Sequence, residues 1–192
     1  MTPKRGLAIA GLVLAAVAIA WVLFVGLPRW YGARTSAREP AVTPAAAPSP
    51  AGRKIKARLF YVSGDGTRLT SVERDVPFGE GTIAQAREII TAQIAPVDEP
   101  LVSAVPPGTT LRALFVTDQG EAFVDLSHEV STGHLGGSLD EVLTVYTIVD
   151  TLTANLPAVT SVQVLVDGKQ VDTLSGHVDL RHPLEKNLAW VE

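Results

Sequence analysis

Residues 137–168 read GSLDEVLTVYTIVDTLTANLPAVTSVQVLVDG, and this stretch decides the fold class. Val142, Val145, Tyr146, Val149, Leu152 and Leu156 recur at helical spacing, and Pro157 ends the run. Ser138 with Glu141 three residues on has the spacing of a capping box, which predicts a helix opening at Ser138. From Ser161 the period falls to two. Val162, Val164 and Val166 alternate with Gln163 and Leu165, and Asp167-Gly168 signals a two-residue hairpin into a short strand near Lys169 to Leu174.

Upstream, the same grammar repeats. Ile55, Ala57, Leu59 and Tyr61 alternate with Lys56, Arg58, Phe60 and Val62. Ser63-Gly64-Asp65-Gly66 then turns the chain into a partner strand over Arg68 to Val76. Thr82 and Gln85 form another capping-box spacing, followed by a stripe of Ile83, Ala86, Ile90 and Ile94 that Pro96 stops. After a loop with Pro100, Pro106, Pro107 and Gly108, strands are predicted over Thr110 to Val116 and Glu121 to Leu126, joined at Asp118-Gln119-Gly120. The order is ββαββαββ. The expected class is α+β, a mixed or antiparallel sheet with helices on one face. The two ββα passages hint at an internal pseudo-repeat.

Ahead of this domain, residues 7–27 read LAIAGLVLAAVAIAWVLFVGL and carry no charge. At ~1.5 Å rise per residue a helix of that length spans about 32 Å, close to the ~30 Å hydrocarbon core. Lys4 and Arg5 precede it; Pro28, Arg29, Trp30 and Tyr31 follow, with aromatic residues suited to the membrane interface. A cleaved signal peptide has a shorter apolar core with a small-x-small site just behind it, whereas here the nearest such site ends at Ala37. The segment is therefore expected to be an uncleaved transmembrane helix. Within it, Gly11 and Ala15 form a small-xxx-small pair. Residues 39–52 (EPAVTPAAAPSPAG) have the composition of a semi-rigid spacer. The flanking charges nearly balance. The spacer orients the reading: residues 1–6 form a short cytoplasmic end, 7–27 the span, 28–52 the linker, and 53–192 an exported domain.

Residues 53–192 hold 11 Lys and Arg against 19 Asp and Glu, a formal charge of −8. An acidic domain without a basic run is poorly suited to nucleic acid, so none is expected as a partner. The chain has no cysteine, which excludes disulfides, Cys-based zinc sites and a lipidated-cysteine anchor.

Three constellations bear on chemistry. Ser138, His177 and Asp125 or Asp179 could make a hydrolase triad, but Ser138 stands at a helix cap and no Gly-x-Ser-x-Gly elbow is present. His128, His134, His177 and His182, with Asp125, Asp172 or Asp179, could ligate a metal, yet none has the dense spacing of a metal motif. His177-Val178-Asp179 is the closest cluster, and a strand there would set both side chains on one face. The Gly133-His134-Leu135-Gly136-Gly137-Ser138 loop could bind an anion at a helix N-terminus, though it lacks the Lys of a phosphate loop. The expectation is no catalytic, cofactor-binding or metal residues and no cofactor.

The domain also resembles a known family. The residues that carry the resemblance begin with Val105-Pro106-Pro107-Gly108-Thr109, Leu111 and Gly120-x-Ala122-x-Val124-Asp125-Leu126. They continue with Gly137, Glu141, Thr144-Val145-Tyr146-x-Ile148-Val149, Thr151-Leu152 and Pro157. Val162 through Gly168 and Leu174-Ser175-Gly176-His177-Val178-Asp179 complete them. Over about Lys54 to Pro183 the sequence resembles the GerMN domain, a module of bacterial sporulation, germination and envelope proteins, here in a single copy. The resemblance implies a fold like the ring-building domains of secretion and sporulation assemblies. It also implies a non-enzymatic envelope module with assembly or scaffolding roles. The expected location is the bacterial inner (cytoplasmic) membrane, single-pass, with the C-terminal domain periplasmic or extracytoplasmic. Expected partners are envelope proteins or a second copy of the chain. A cell-wall (peptidoglycan) binding module is the alternative, with an envelope hydrolase behind it.

Overall fold

The computed structural model describes Trp21, residues 52–134 and residues 136–192. Apart from Trp21, the predicted transmembrane segment lies outside the described residues, as does nearly all of the linker. Among the described residues no helix is long and apolar enough to cross a membrane.

The domain is α+β. Its strands are β1 (Lys54–Val62), β2 (Leu69–Pro77), β3 (Leu111–Val116), β4 (Glu121–Leu126), β5 (Ser161–Val166), β6 (Lys169–Gln170) and β7 (Leu184–Glu185). The helices are α1 (Gly81–Ile94), α2 (Glu129–Thr132) and α3 (Ser138–Asn155), with a 3-10 turn at Leu188–Trp190. They fall into two sheets, which local periodicity does not reveal. β1 and β2 form an antiparallel hairpin, while β3-β4-β5-β6, with β7 also paired to β5, makes a mixed five-stranded sheet. In that sheet β3 and β4 are antiparallel, and β4 and β5 run parallel with Val124 opposite Val164.

The first two hairpin turns rest on local chemistry. Asp65 accepts from the Ser63 hydroxyl at 2.6 Å and from Thr67 through both its N–H, 3.0 Å, and its hydroxyl, 2.7 Å. These donors hold its carboxyl down at about 2, the Ser63 hydroxyl contributing most. Gly120 turns β3 into β4 at φ +86, and a Cβ there would lie 2.7 Å from the Ala158 carbonyl, so both backbone and space call for glycine.

α3 is the central element. Val145, Ile148, Val149 and Leu152 pack on the five-stranded sheet with Leu114, Val124, Val162 and Val164, while Leu143 joins Phe60 and Leu69 under the β1-β2 hairpin. Burial on two sides explains why the expected single stripe is incomplete: Val142 is only half-buried, whereas Glu141, Thr144, Thr147, Asp150 and Thr151 are buried. α1 departs from its predicted stripe in the same way. Ala86 and Ile90 face the larger core, Ile89 packs with Leu59 and Tyr61 in a second cluster, and Ile83 is exposed.

Both predicted capping boxes are corrected. The N-cap of α3 is Gly137, with no side-chain cap bond, because Glu141 turns inward instead of back to Ser138. α1 opens from Glu80, before Thr82. Gln85 reaches back further than a capping box does, accepting from Gly79 N at 2.9 Å and donating to the Pro77 carbonyl at 3.1 Å. The strand return after Asp167-Gly168 is also shorter than predicted, ending at Gln170.

Candidate interaction surface

The edges of the two sheets differ sharply in what occupies them. Along the inner edge of β1, two side-chain amides take the place of a neighbouring strand. Gln93 accepts from Phe60 N at 2.8 Å and donates to Phe60 O at 2.7 Å; Asn155 does the same for Arg58, at 2.8 and 2.7 Å. The buried Gln93 is held in turn by the Thr151 hydroxyl, 2.9 Å from its Oε1. β2, the other strand of that hairpin, carries Glu73, Arg74 and Asp75 and ends at Pro77, features that discourage strand pairing. β3 is the outer strand of the larger sheet, and among the described residues no strand pairs with its far side. Its sequence, LRALFV, has one charge, and Phe115 stands 61% exposed beside Phe123 of β4. This edge is the candidate surface. Neither Phe115 nor the two capping amides stood out in the sequence, since exposure and edge position are set by which strands neighbour one another.

The residues considered for catalysis and metal binding are distributed among separate structural tasks. Asp125, at the end of β4, accepts from Gly168 N at 2.7 Å and lies 3.4 Å from Arg112 Nε, fastening the hairpin after β5 to its neighbours. Asp167, at φ 49, and His128 flank the same cluster, with His128 Nδ1 3.6 Å from Asp167. Asp179 lies in a loop, not a strand. There it accepts from the backbone N–H and the guanidinium of Arg181, and that guanidinium holds its carboxyl well below the usual range. His182 and Asp172 are exposed.

The carboxylate that faces His177 is Glu141, not Asp125 or Asp179. Glu141 is buried; its oxygens accept from Leu174 N and His177 N at 2.8 Å each, and His177 Nδ1 lies 3.0 Å away. Burial pushes the Glu141 carboxyl up, but the backbone N–H groups of Ser175, His177, Val178 and Leu174 outweigh it and leave it below its ordinary value. Ser138 is exposed and makes no hydrogen bond with His177, so these residues do not assemble a triad. Among the described residues no group of three His, Cys, Asp or Glu is placed to hold a metal ion.

His134 sits in a cleft of about 300 Å³ lined by Val102, Val105, Pro106, Asp140 and Leu143 among others. Its Nδ1 accepts from Gly136 N at 3.2 Å, which puts the ring proton on Nε2, 3.3 Å from the Thr144 hydroxyl oxygen. That hydroxyl lies 2.6 Å from Ala104 O and 2.9 Å from Asp140 O. Both ring nitrogens are thus engaged in tying the loop of residues 133–137 to α3.

No curated protein sequence matches the chain. Among solved structures, the tandem GerMN domains of the sporulation protein GerM from Bacillus subtilis superpose with a TM-score of 0.51 at 17% identity. That match covers 71% of this chain and 46% of the other. The first GerMN domain of the same protein gives 0.49 at 17% identity, over 69% and 96%. A crystal structure from Clostridium perfringens gives 0.49 at 23% identity, over 69% and 88%. The family model described as Germane, sporulation and spore germination, matches residues 58–172, from within β1 to just past β6. The chain belongs to the Germane (GerMN) family.

Proposed function

We propose that this chain is a single-pass protein of the bacterial inner membrane whose exported GerMN domain is a non-catalytic module for protein–protein assembly. The observation that supports it best is the open β3 edge. Beyond the bulge between Leu111 and Ala113, its strand is uncharged, bears an exposed Phe115 and carries neither the capping amides of β1 nor the charge cluster and proline of β2. An exposed edge strand offers a row of unpaired N–H and C=O groups to another chain. The membrane side of the reading comes from the uncharged run at residues 7–27 and the Pro/Ala-rich spacer behind it.

The test is site-specific photo-crosslinking of the full-length chain in native membranes, with the probe at Phe115, Arg74, Gln119 or Lys169. Adducts concentrated at Phe115 support the module. Absence of adducts from every position overturns it. Retention of the protein on purified sacculi in that case moves the domain to the alternative, a binder of cell-wall polymer.

A further inference from the structure

Residues 184–192 run from one sheet to the other along a single face of α3. Leu184 and Glu185 pair as β7 with Val162 and Ser161 of β5, and Asn187 N donates to Asp150 Oδ1 at 2.9 Å. Trp190 and Val191 then pack with Phe60, Leu69 and Leu143, and Glu192 N donates to the Leu69 carbonyl at 2.9 Å. Leu143, Thr147 and Asp150 stand at i, i+4 and i+7, one stripe of the helix, with Trp190 against its first member and Asn187 on its last.

The grip of this segment is slight. None of its residues is buried, and Leu188 is 45% exposed. Arg68 adds one exposed bond, 3.2 Å from its guanidinium to the Ala189 carbonyl. The family match stops at residue 172, short of the whole segment. On the stripe beneath, Thr147 Oγ1 and Asp150 Oδ2 are buried with no hydrogen-bond partner among the described residues. A segment with few buried apolar contacts opens at low free energy. Buried polar atoms without partners favour that opening, because water then reaches them.

We propose that residues 184–192 form a strap that opens separately from the rest of the domain, and that the Asp150 side chain beneath it sets how often it opens. An ionised Asp150 keeps Oδ2 unpaired under the closed strap and is hydrated when the strap lifts. Burial raises its carboxyl above the ordinary 3.8, against the Asn187 N–H and Lys186, the charged group of the packed elements that acts on it. The closed strap is therefore favoured while Asp150 is protonated, and this preference fades as pH rises through the closed-state value. Lifting the strap frees the Leu69 carbonyl and the β5 edge at Ser161 and Val162. It also uncovers Phe60, Leu69 and Leu143, all buried when it is closed.

Amide hydrogen exchange of the full-length chain in lipid nanodiscs, expressed as protection factors between pH 4 and 7, tests the strap. Peptides from residues 184–192 should be less protected than those from β4 and β5, and their protection should fall as pH rises. Asp150→Asn keeps an acceptor for Asn187 N but has no charge to hydrate. It should raise strap protection at pH 7 by about tenfold and remove the pH trend. Strap protection equal to that of β4 and β5 overturns separate opening. Protection in the parent chain that is flat or rises with pH overturns the part assigned to Asp150 without recourse to any variant, and so does a trend that persists in Asp150→Asn.

Discussion

The Oε2 atom of Glu141 accepts from the backbone N–H of His177 at 2.8 Å and lies 3.0 Å from the same residue's Nδ1. One carboxylate inside α3 therefore holds the loop after β6 by both main chain and side chain, with Leu174 N bound to its other oxygen. Removing it leaves buried donors without an acceptor. Glu141→Ala should cost about 2–4 kcal/mol in urea unfolding, and His177→Ala clearly less, because the backbone bonds remain. Equal losses from the two variants would mean that the imidazole, not the loop backbone, is the main partner.

The same clasp sets an acid limit. The Glu141 carboxyl lies below its ordinary 4.5 in the folded protein, so its contribution is full above that value and is lost as pH falls through the lower folded one. Glu141→Gln should flatten the fall in melting temperature below about pH 4.5. A variant with an unchanged acid slope would assign that slope to other carboxylates.

Asp150 works in the opposite direction. It is buried in α3; Oδ1 accepts from Asn187 N at 2.9 Å, while Oδ2 and the nearby Thr147 hydroxyl have no partner among the described residues. Burial raises its carboxyl above the ordinary 3.8, against smaller opposing effects of the Asn187 N–H and Lys186. A raised acid stabilises the fold while protonated, and that contribution fades as pH rises through the folded value. Asp150→Asn should therefore be at least as stable as the parent at pH 7, with its advantage shrinking toward pH 4. Differential calorimetry across that range checks it, and a variant less stable at pH 7 than at pH 4, relative to the parent, contradicts it.

Gln93 is expected to be the most sensitive polar residue of the β1 edge. Gln93→Ala strands the buried N–H and C=O of Phe60 together with the Thr151 hydroxyl. A loss of about 3 kcal/mol is expected in chemical denaturation. Asn155→Ala acts on Arg58 at an exposed point, where water replaces the amide, and should cost about 1 kcal/mol or less.

Ser138 separates the sequence motif from the structure. A true capping serine changed to alanine costs about 1 kcal/mol. Here α3 begins behind Gly137 without a side-chain cap, so Ser138→Ala should fall within about ±0.5 kcal/mol, as surface substitutions do. A full capping loss in thermal unfolding would restore the capping box.

The longer strands and helices and their order are written in the residues themselves, whereas α2 and the two-residue β7 carry no such signal. β4 and β5 begin and end where alternation placed them, and Pro157 and Asp167-Gly168 punctuate the chain as expected. The family was legible in motifs such as Gly120 and Val162 through Gly168, for glycines forced by turns leave fixed marks in a sequence. Those signals are local: a period, a cap or a turn is written within a few residues. The folded chain alone reveals that β1-β2 stands apart from the five-stranded sheet and that α3 is buried on two sides. It reveals too that Glu141 serves residues 33 and 36 positions away and that Gln93 reaches Phe60 across 33. The open edge of β3 belongs with these. A strand's own residues fix its alternation, but whether another strand lies beside it depends on the path of the whole chain.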